Sequence, residues 1–340
     1  MDFDDSTRWI FPLCNYSTKI RNNIRGHFRV IKIVKWIRPY CFILFALLTL
    51  SRCKTTYQNN ESLIKVTNGI ESKEPFSIAL FQGRFLCTAT IVGPDLLLTA
   101  AHCATSENLG DYTAYQWFRE KGPGPVGYNI KERLIHPDYK DDQKNPLTDL
   151  ALLRTDKEFD ASSKKLLVEL PDPGDTIQLV GYGNTIAGNH DSNPQGKQFK
   201  STAKLPVEIE IKVINGETRY ADKSGRDTYS QDDLVNWYLF IDAFKKGVLS
   251  FCGSAGPDQE ATSKCKGASI ANGDSGSAIF LEDRIIAVTS TVSVLSDRVI
   301  SNAVLVAHPE TRKFFCSAEK KGFKPMWIHR NNSPAQLTCP

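Results

Sequence analysis

Asn272-Gly273-Asp274-Ser275-Gly276-Ser277 sets a serine among small residues, directly after an aspartate. A Gly-Asp-Ser-Gly run makes a good tight turn, because glycine supplies the positive φ that turns need. The same arrangement presents a nucleophile, if the chain also supplies a base and an orienting acid. Thr99-Ala100-Ala101-His102-Cys103 follows the apolar run from Ile91 to Leu98. Asp149-Leu150-Ala151-Leu152-Leu153 begins 47 residues after His102, and Ser275 comes 126 residues later. A serine attacks a carbonyl at neutral pH only when a base takes its proton. Histidine titrates in the right range, and a buried carboxylate fixes its tautomer.

The order His102, Asp149, Ser275, with a cysteine directly after the histidine and Gly181-Tyr182-Gly183-Asn184-Thr185 between, resembles the trypsin/chymotrypsin family of serine proteases. The resemblance covers residues 66–316. It implies an all-β fold of two six-stranded antiparallel Greek-key barrels with a C-terminal helix, and the site between the barrels. It implies Ser275 as nucleophile, His102 as general base and then acid, and Asp149 as the orienting carboxylate. The backbone N–H groups of Gly273 and Ser275 become the oxyanion hole, where each fixed donor contributes about 10²–10³ in rate. The chemistry requires no metal or cofactor. Among the other histidines, His136 precedes a proline turn, while His190 and His308 lie among loop residues.

Lys65-Val66-Thr67-Asn68-Gly69 resembles the family's activation junction. Cleavage after Lys65 frees the Val66 ammonium to pair with Asp274, and a buried carboxylate without a partner is costly enough to set its loop's conformation. Departures from the family bear on specificity. An ungapped match puts Ser269 at the base of the substrate pocket, where an aspartate would select Lys or Arg. Ser290 and Val292 fall where the family binds substrate backbone, and Val292 replaces a glycine. This pattern implies an uncharged chymotrypsin- or elastase-like pocket, which cleaves poorly after Lys65 and leaves activation to another protease. Ala271 stands at the usual pocket cysteine; alternatively Cys265 is that cysteine, residues 266–272 hold an insertion, and the Ser269 assignment lapses.

The body holds six cysteines, which in an exported chain suggest up to three disulfides. The resemblance pairs Cys87 with Cys103. Cys252–Cys265 and Cys316–Cys339 then remain as the near neighbours.

The 340 residues are 41% apolar and 24% charged, ordinary values for a globular protein. The formal charge of +4 is uneven. Residues 1–65 carry 11 Lys/Arg against 4 Asp/Glu, so the remainder is net negative. The body thus offers no global electrostatic case for nucleic acid. Residues 1–53 read as a basic leader, whose apolar run 41–50 is short for a bilayer span and suits a secretory signal. Membrane contact is expected only through that leader, and the compartment is expected to be extracellular or periplasmic. Residues 54–65 read as a short propeptide and 317–340 as a C-terminal extension.

From residue 66 the chain shows short apolar runs divided by turn signals, the pattern of barrels or sandwiches. Phe76–Phe81 and Phe85–Val92 flank a turn at Gln82-Gly83-Arg84, and Val207–Ile214 alternates as a half-buried strand does. Residues 187–248 read as an insertion of surface loops with one helix near Asp232–Phe240. Pro309 opens a final helix. Protein or peptide substrates, protein inhibitors and an activating protease are the partners this reading implies, acting on a monomer. A second reading is a catalytically silent homologue that serves as a protein-binding module.

Overall fold

The computed structural model describes residues 69–122, 124–141, 145–183, 197–214, 217–224, 226, 229–254, 265, 267–296 and 298–339. The chain divides into two units after Glu61, and every described residue lies in the second. The leader 1–53, its run 41–50, the propeptide 54–65, Lys65, Val66, Asn184, Thr185 and His190 lie outside the described residues. No described helix is long and apolar enough to cross a membrane.

A short strand β1 (Ile70–Ser72) precedes a closed six-stranded barrel. Its strands are β2 (Ser77–Gln82), β3 (Phe85–Gly93), β4 (Leu96–Thr99), β5 (Tyr112–Gln116), β6 (Val126–Ile135) and β7 (Ala151–Thr155). They close in the order β2-β3-β4-β7-β6-β5. Gly83 takes φ +58 in the two-residue turn between β2 and β3, the conformation such hairpins demand.

The second barrel adds β8 (Lys165–Leu167), β9 (Thr176–Gly181), β10 (Gln198–Lys204), β13 (Val248–Gly253), β14 (Ala278–Leu281), β15 (Arg284–Val294) and β16 (Val299–Leu305). Six of these run antiparallel in the order β10-β9-β14-β15-β16-β13. The two ends of that path are joined through residues 267 and 268: the Ser254 amide donates to Gly267 O, and the Ala268 amide to Thr202 O. The architecture is the expected two-barrel, all-β fold with a C-terminal helix.

Sequence pattern explains why the barrels share a seam. Leu96-Leu97-Leu98 and Leu150-Ala151-Leu152-Leu153 are continuously apolar because both strand faces are buried. Leu97, Ala151 and Leu153 fill the first barrel. Their neighbours Leu96, Leu98, Leu150 and Leu152 pack with Val180, Ala278, Phe280 and Val288 of the second. β14 repeats this alternation, with Ile279 and Leu281 facing the second barrel's interior instead.

Between the barrel strands the chain builds a projecting hairpin, β11 (Ile209–Ile214) with β12 (Glu217–Asp222), and a helix α1 (Gln231–Lys245). α1 buries Leu234, Trp237 and Phe240. The segment read as loops with one short helix thus contains a barrel strand, a hairpin and a 15-residue helix. A second helix α2 (Pro309–Lys320) is capped by the His308 side chain, with Pro309 in its first turn. It runs past residue 317, and the chain then adds β17 (Trp327–Ile328) and β18 (Pro334–Ala335) to the second sheet beside β8.

Candidate active site

β4 and β7 are antiparallel partners, with Thr99 opposite Ala151. The residues that follow β4 and those that precede β7 therefore emerge at the same end of the pair. His102 sits in a 3-10 turn just after β4, and Asp149 caps another just before β7. His102 Nδ1 lies 2.8 Å from Asp149 Oδ2, and the His102 amide donates to Asp149 Oδ1 at 2.9 Å. The Ser290 hydroxyl donates to Asp149 Oδ2 at 2.6 Å. Burial pushes the Asp149 carboxyl up, but the hydrogen bond and charge of His102, with the Ser290 hydroxyl, outweigh it and hold its pKa below the usual carboxylate value. An ionised Asp149 fixes the Nδ1–H tautomer and leaves Nε2 as the basic nitrogen.

Ser275 precedes β14 on the other barrel. It lines one cavity of about 910 Å³ together with His102, Asp149, Gly273 and Ser290. Among the described residues no hydrogen bond joins the Ser275 hydroxyl to His102. The amides of Gly273 and Ser275 likewise meet no protein acceptor among the described residues. Gly273 takes φ +98, and a Cβ there would stand 2.8 Å from Gly183 Cα. Gly276 takes φ +82, and its Cβ would fall 2.0 Å from Thr99 Oγ1 of the first barrel. Both positions need glycine on conformational and steric grounds.

Thr88 was not visible as a site residue in the sequence, and it ties the serine loop to the first barrel. Its amide donates to Ser275 O at 2.8 Å, and its hydroxyl donates to Gly273 O at 2.8 Å. The Tyr182 amide donates in turn to the Thr88 hydroxyl at 3.1 Å. A lone threonine after a cysteine carries no signal for this role. Ser290 was read as a substrate-backbone residue; the structure adds its hydroxyl contact to Asp149.

Asp274 is buried, 1% exposed. Its carboxylate accepts from the Gly183 amide at 2.8 Å and the Ala271 amide at 3.0 Å. Gly181 and Gly183 leave room for it, since a Cβ at either would come within 2.5 Å of its carboxyl atoms. Burial pushes its pKa up to about 7, against the lowering effect of those two amides. Among the described residues no cation pairs with it.

Ser269 is fully buried, and its hydroxyl donates to Ser254 O at 2.9 Å. It does not line the cavity, whereas Ser290 and Val292 do. Among the described residues the disulfides are Cys87–Cys103, Cys252–Cys265 and Cys316–Cys339. The sulfurs of Cys87 and Cys103 lie beside His102 but are bonded to each other, so they are not thiolate ligands for a metal. His136 does not line this cavity. It stacks on Phe314 of α2, and burial holds its pKa below the usual histidine value against the opposing charge of Asp138.

Comparison with known proteins bears on the fold and the family resemblance. The Trypsin family model matches residues 65–212. Phenoloxidase-activating factor 1 of Holotrichia diomphalia is 26% identical over 212 residues, 51% of this chain and 57% of that protein. Human kallikrein-15 is 28% identical over 227 residues, 63% of this chain and 82% of that protein. The chain thus spans little more than half the length of the first of these relatives. Among solved structures, neuropsin, a serine protease expressed in the limbic system of mouse brain, superposes with a TM-score of 0.50 at 18% identity. That match covers 76% of this chain and 99% of neuropsin, and it concerns the fold. The chain is therefore similar in sequence over residues 65–212, and in fold, to the trypsin/chymotrypsin-like serine proteases.

Proposed function

We propose that the protein is an exported serine endopeptidase. Ser275 attacks the scissile carbonyl, and His102 Nε2 takes its proton and later returns it to the leaving amine. Asp149 steadies the imidazolium, and the amides of Gly273 and Ser275 hold the oxyanion. The observation that carries this reading is the 2.8 Å contact of His102 Nδ1 with Asp149, on a cavity that Ser275 also lines. Three disulfides suit an oxidising compartment.

The protein is made as a zymogen. Cleavage after Lys65 by another protease supplies the Val66 ammonium as partner for Asp274, whose burial without a cation among the described residues favours such a capture. Asn272, Ser290, Thr291, Val292 and Ser293 form an uncharged part of the cavity wall, which also holds Asp141; the uncharged part favours uncharged substrate side chains.

A serine-reactive fluorophosphonate tests the assignment. Labelling is expected after cleavage at Lys65, with none in the zymogen and none in Ser275→Ala. Absence of labelling in correctly cleaved protein would favour the silent, protein-binding reading. The unmade Ser275–His102 hydrogen bond is the observation on that side, although such contacts often tighten only when substrate is bound.

A further inference from the structure

β15 pairs with β14 only as far as Val288, while its pairing with β16 continues to Val294. From Ser290 onward one edge of β15 therefore has no strand partner among the described residues, and Ser290, Thr291, Val292 and Ser293 line the cavity. A free strand edge offers main-chain donors and acceptors to an extended polypeptide. The strand then runs into Val294 and Leu295, 46% and 51% exposed.

The surface continues across the sheet. Ser293 stands opposite Ile300 on β16, so their side chains share a face. Ile300 lines a shallow depression with Asn236 and Leu239 of α1. Arg298, in the β15–β16 turn, holds the two parts together. It pairs with Asp232 at 3.6 Å and donates to Asn236 Oδ1 at 3.3 Å. Val235 and Leu239 are one helical turn apart, 42% and 49% exposed, on the side of α1 away from buried Leu234 and Trp237.

We propose that Leu295, Ile300, Leu239 and Val235 form an extended subsite for the substrate polypeptide, continuous with the open edge of β15. The occupant is an apolar stretch of the same chain whose peptide bond lies at Ser275. An extended chain advances about 3.3 Å per residue. Leu295 lies five residues beyond Ser290, so the substrate residues that reach the patch stand about four to six positions from the scissile bond, on one flank only. The identity of this occupant rests on the protease reading.

The test is a binding measurement on the disulfide-bonded full chain carrying Ser275→Ala. Labelled dodecapeptides share an alanine-rich centre and differ only in the outer three residues of one flank, Leu-Leu-Leu or Ser-Ser-Ser. Fluorescence anisotropy should give at least about tenfold tighter binding for leucine on one flank and no preference on the other. The double substitution Leu239→Glu/Leu295→Asp, at two exposed positions, should erase that preference while circular dichroism stays unchanged. Equal affinities for the two peptides, or a leucine preference that survives the double substitution, would overturn the proposal. Binding is read without the nucleophile, so its failure leaves fluorophosphonate labelling by Ser275 unaffected, and loss of labelling leaves the binding result intact.

Discussion

Asp274 holds the most consequential proton among the described residues. Its folded pKa of about 7 stands well above the ordinary carboxylate value of 3.8. Between those limits the folded state keeps a proton that the unfolded state has released. The stabilisation is complete below about pH 4 and is lost as pH rises through about 7. Uncleaved protein is therefore expected to lose stability across that window, with a slope of at most about 1.4 kcal/mol per pH unit. Urea titrations at several pH values should show the slope in the parent chain and its absence in Asp274→Asn. A parent chain whose stability rises with pH over the same range, relative to the variant, would mean that a cation already reaches Asp274. At this scale the sequence displayed His102, Asp149 and Ser275 by order and local pattern. It did not display Thr88 or the Ser290 hydroxyl, because each acts through a single hydrogen bond to a residue far away in the chain.

Local signals at the level of elements are strongest where one segment satisfies its own requirements. α1 begins with a capping box: the Ser230 hydroxyl accepts from the Asp233 amide at 3.2 Å, and the Asp233 carboxylate accepts from the Ser230 amide at 2.8 Å. Removing the hydroxyl exposes an unsatisfied amide at the helix start, so Ser230→Ala should cost about 1 kcal/mol. Amide hydrogen exchange should show this first in the opening turn of α1; unchanged protection there would remove the box from the account of the helix. Val207–Ile214 and the Gly83 turn were legible for the same local reason. β10 was not, because Gln198-Phe199-Lys200-Ser201-Thr202-Ala203-Lys204 has little apolar alternation. Its buried Gln198 is satisfied from elsewhere in the chain: the side chain donates to Glu74 O at 3.0 Å and to the Tyr182 hydroxyl at 3.2 Å. Tertiary partners, not propensity, make that segment a strand.

At the scale of the whole molecule, the seam between the barrels is closed by the end of the chain. Phe314, Phe315, Phe323, Trp327 and Leu337 join the apolar cluster shared by both barrels. Cys316–Cys339 ties the far end of this strap back to α2. A hydrogen bond between His329 and Glu169 at 2.7 Å and an ion pair of Arg330 with Asp172 at 2.9 Å also hold it, but half-exposed contacts of this kind contribute about 1 kcal/mol or less each. The apolar contacts therefore decide how firmly the strap binds. Trp327 is 5% exposed and meets Phe315 edge-on at 5.2 Å between ring centroids. Its indole Nε1 has no hydrogen-bond partner among the described residues. Trp327→Ala opens a large cavity at the seam and should cost about 3–5 kcal/mol, which lowers Tm by about 10 °C in a domain of this size. Trp327→Phe keeps a ring against Phe315 and gives up only an unpaired N–H and part of the volume, so its Tm should lie much closer to the parent's. Scanning calorimetry of the three proteins separates the possibilities. Equal losses in both variants would place the weight on the indole N–H. A drop of less than about 2 °C for alanine would show that the strap rests on the seam without stabilising it.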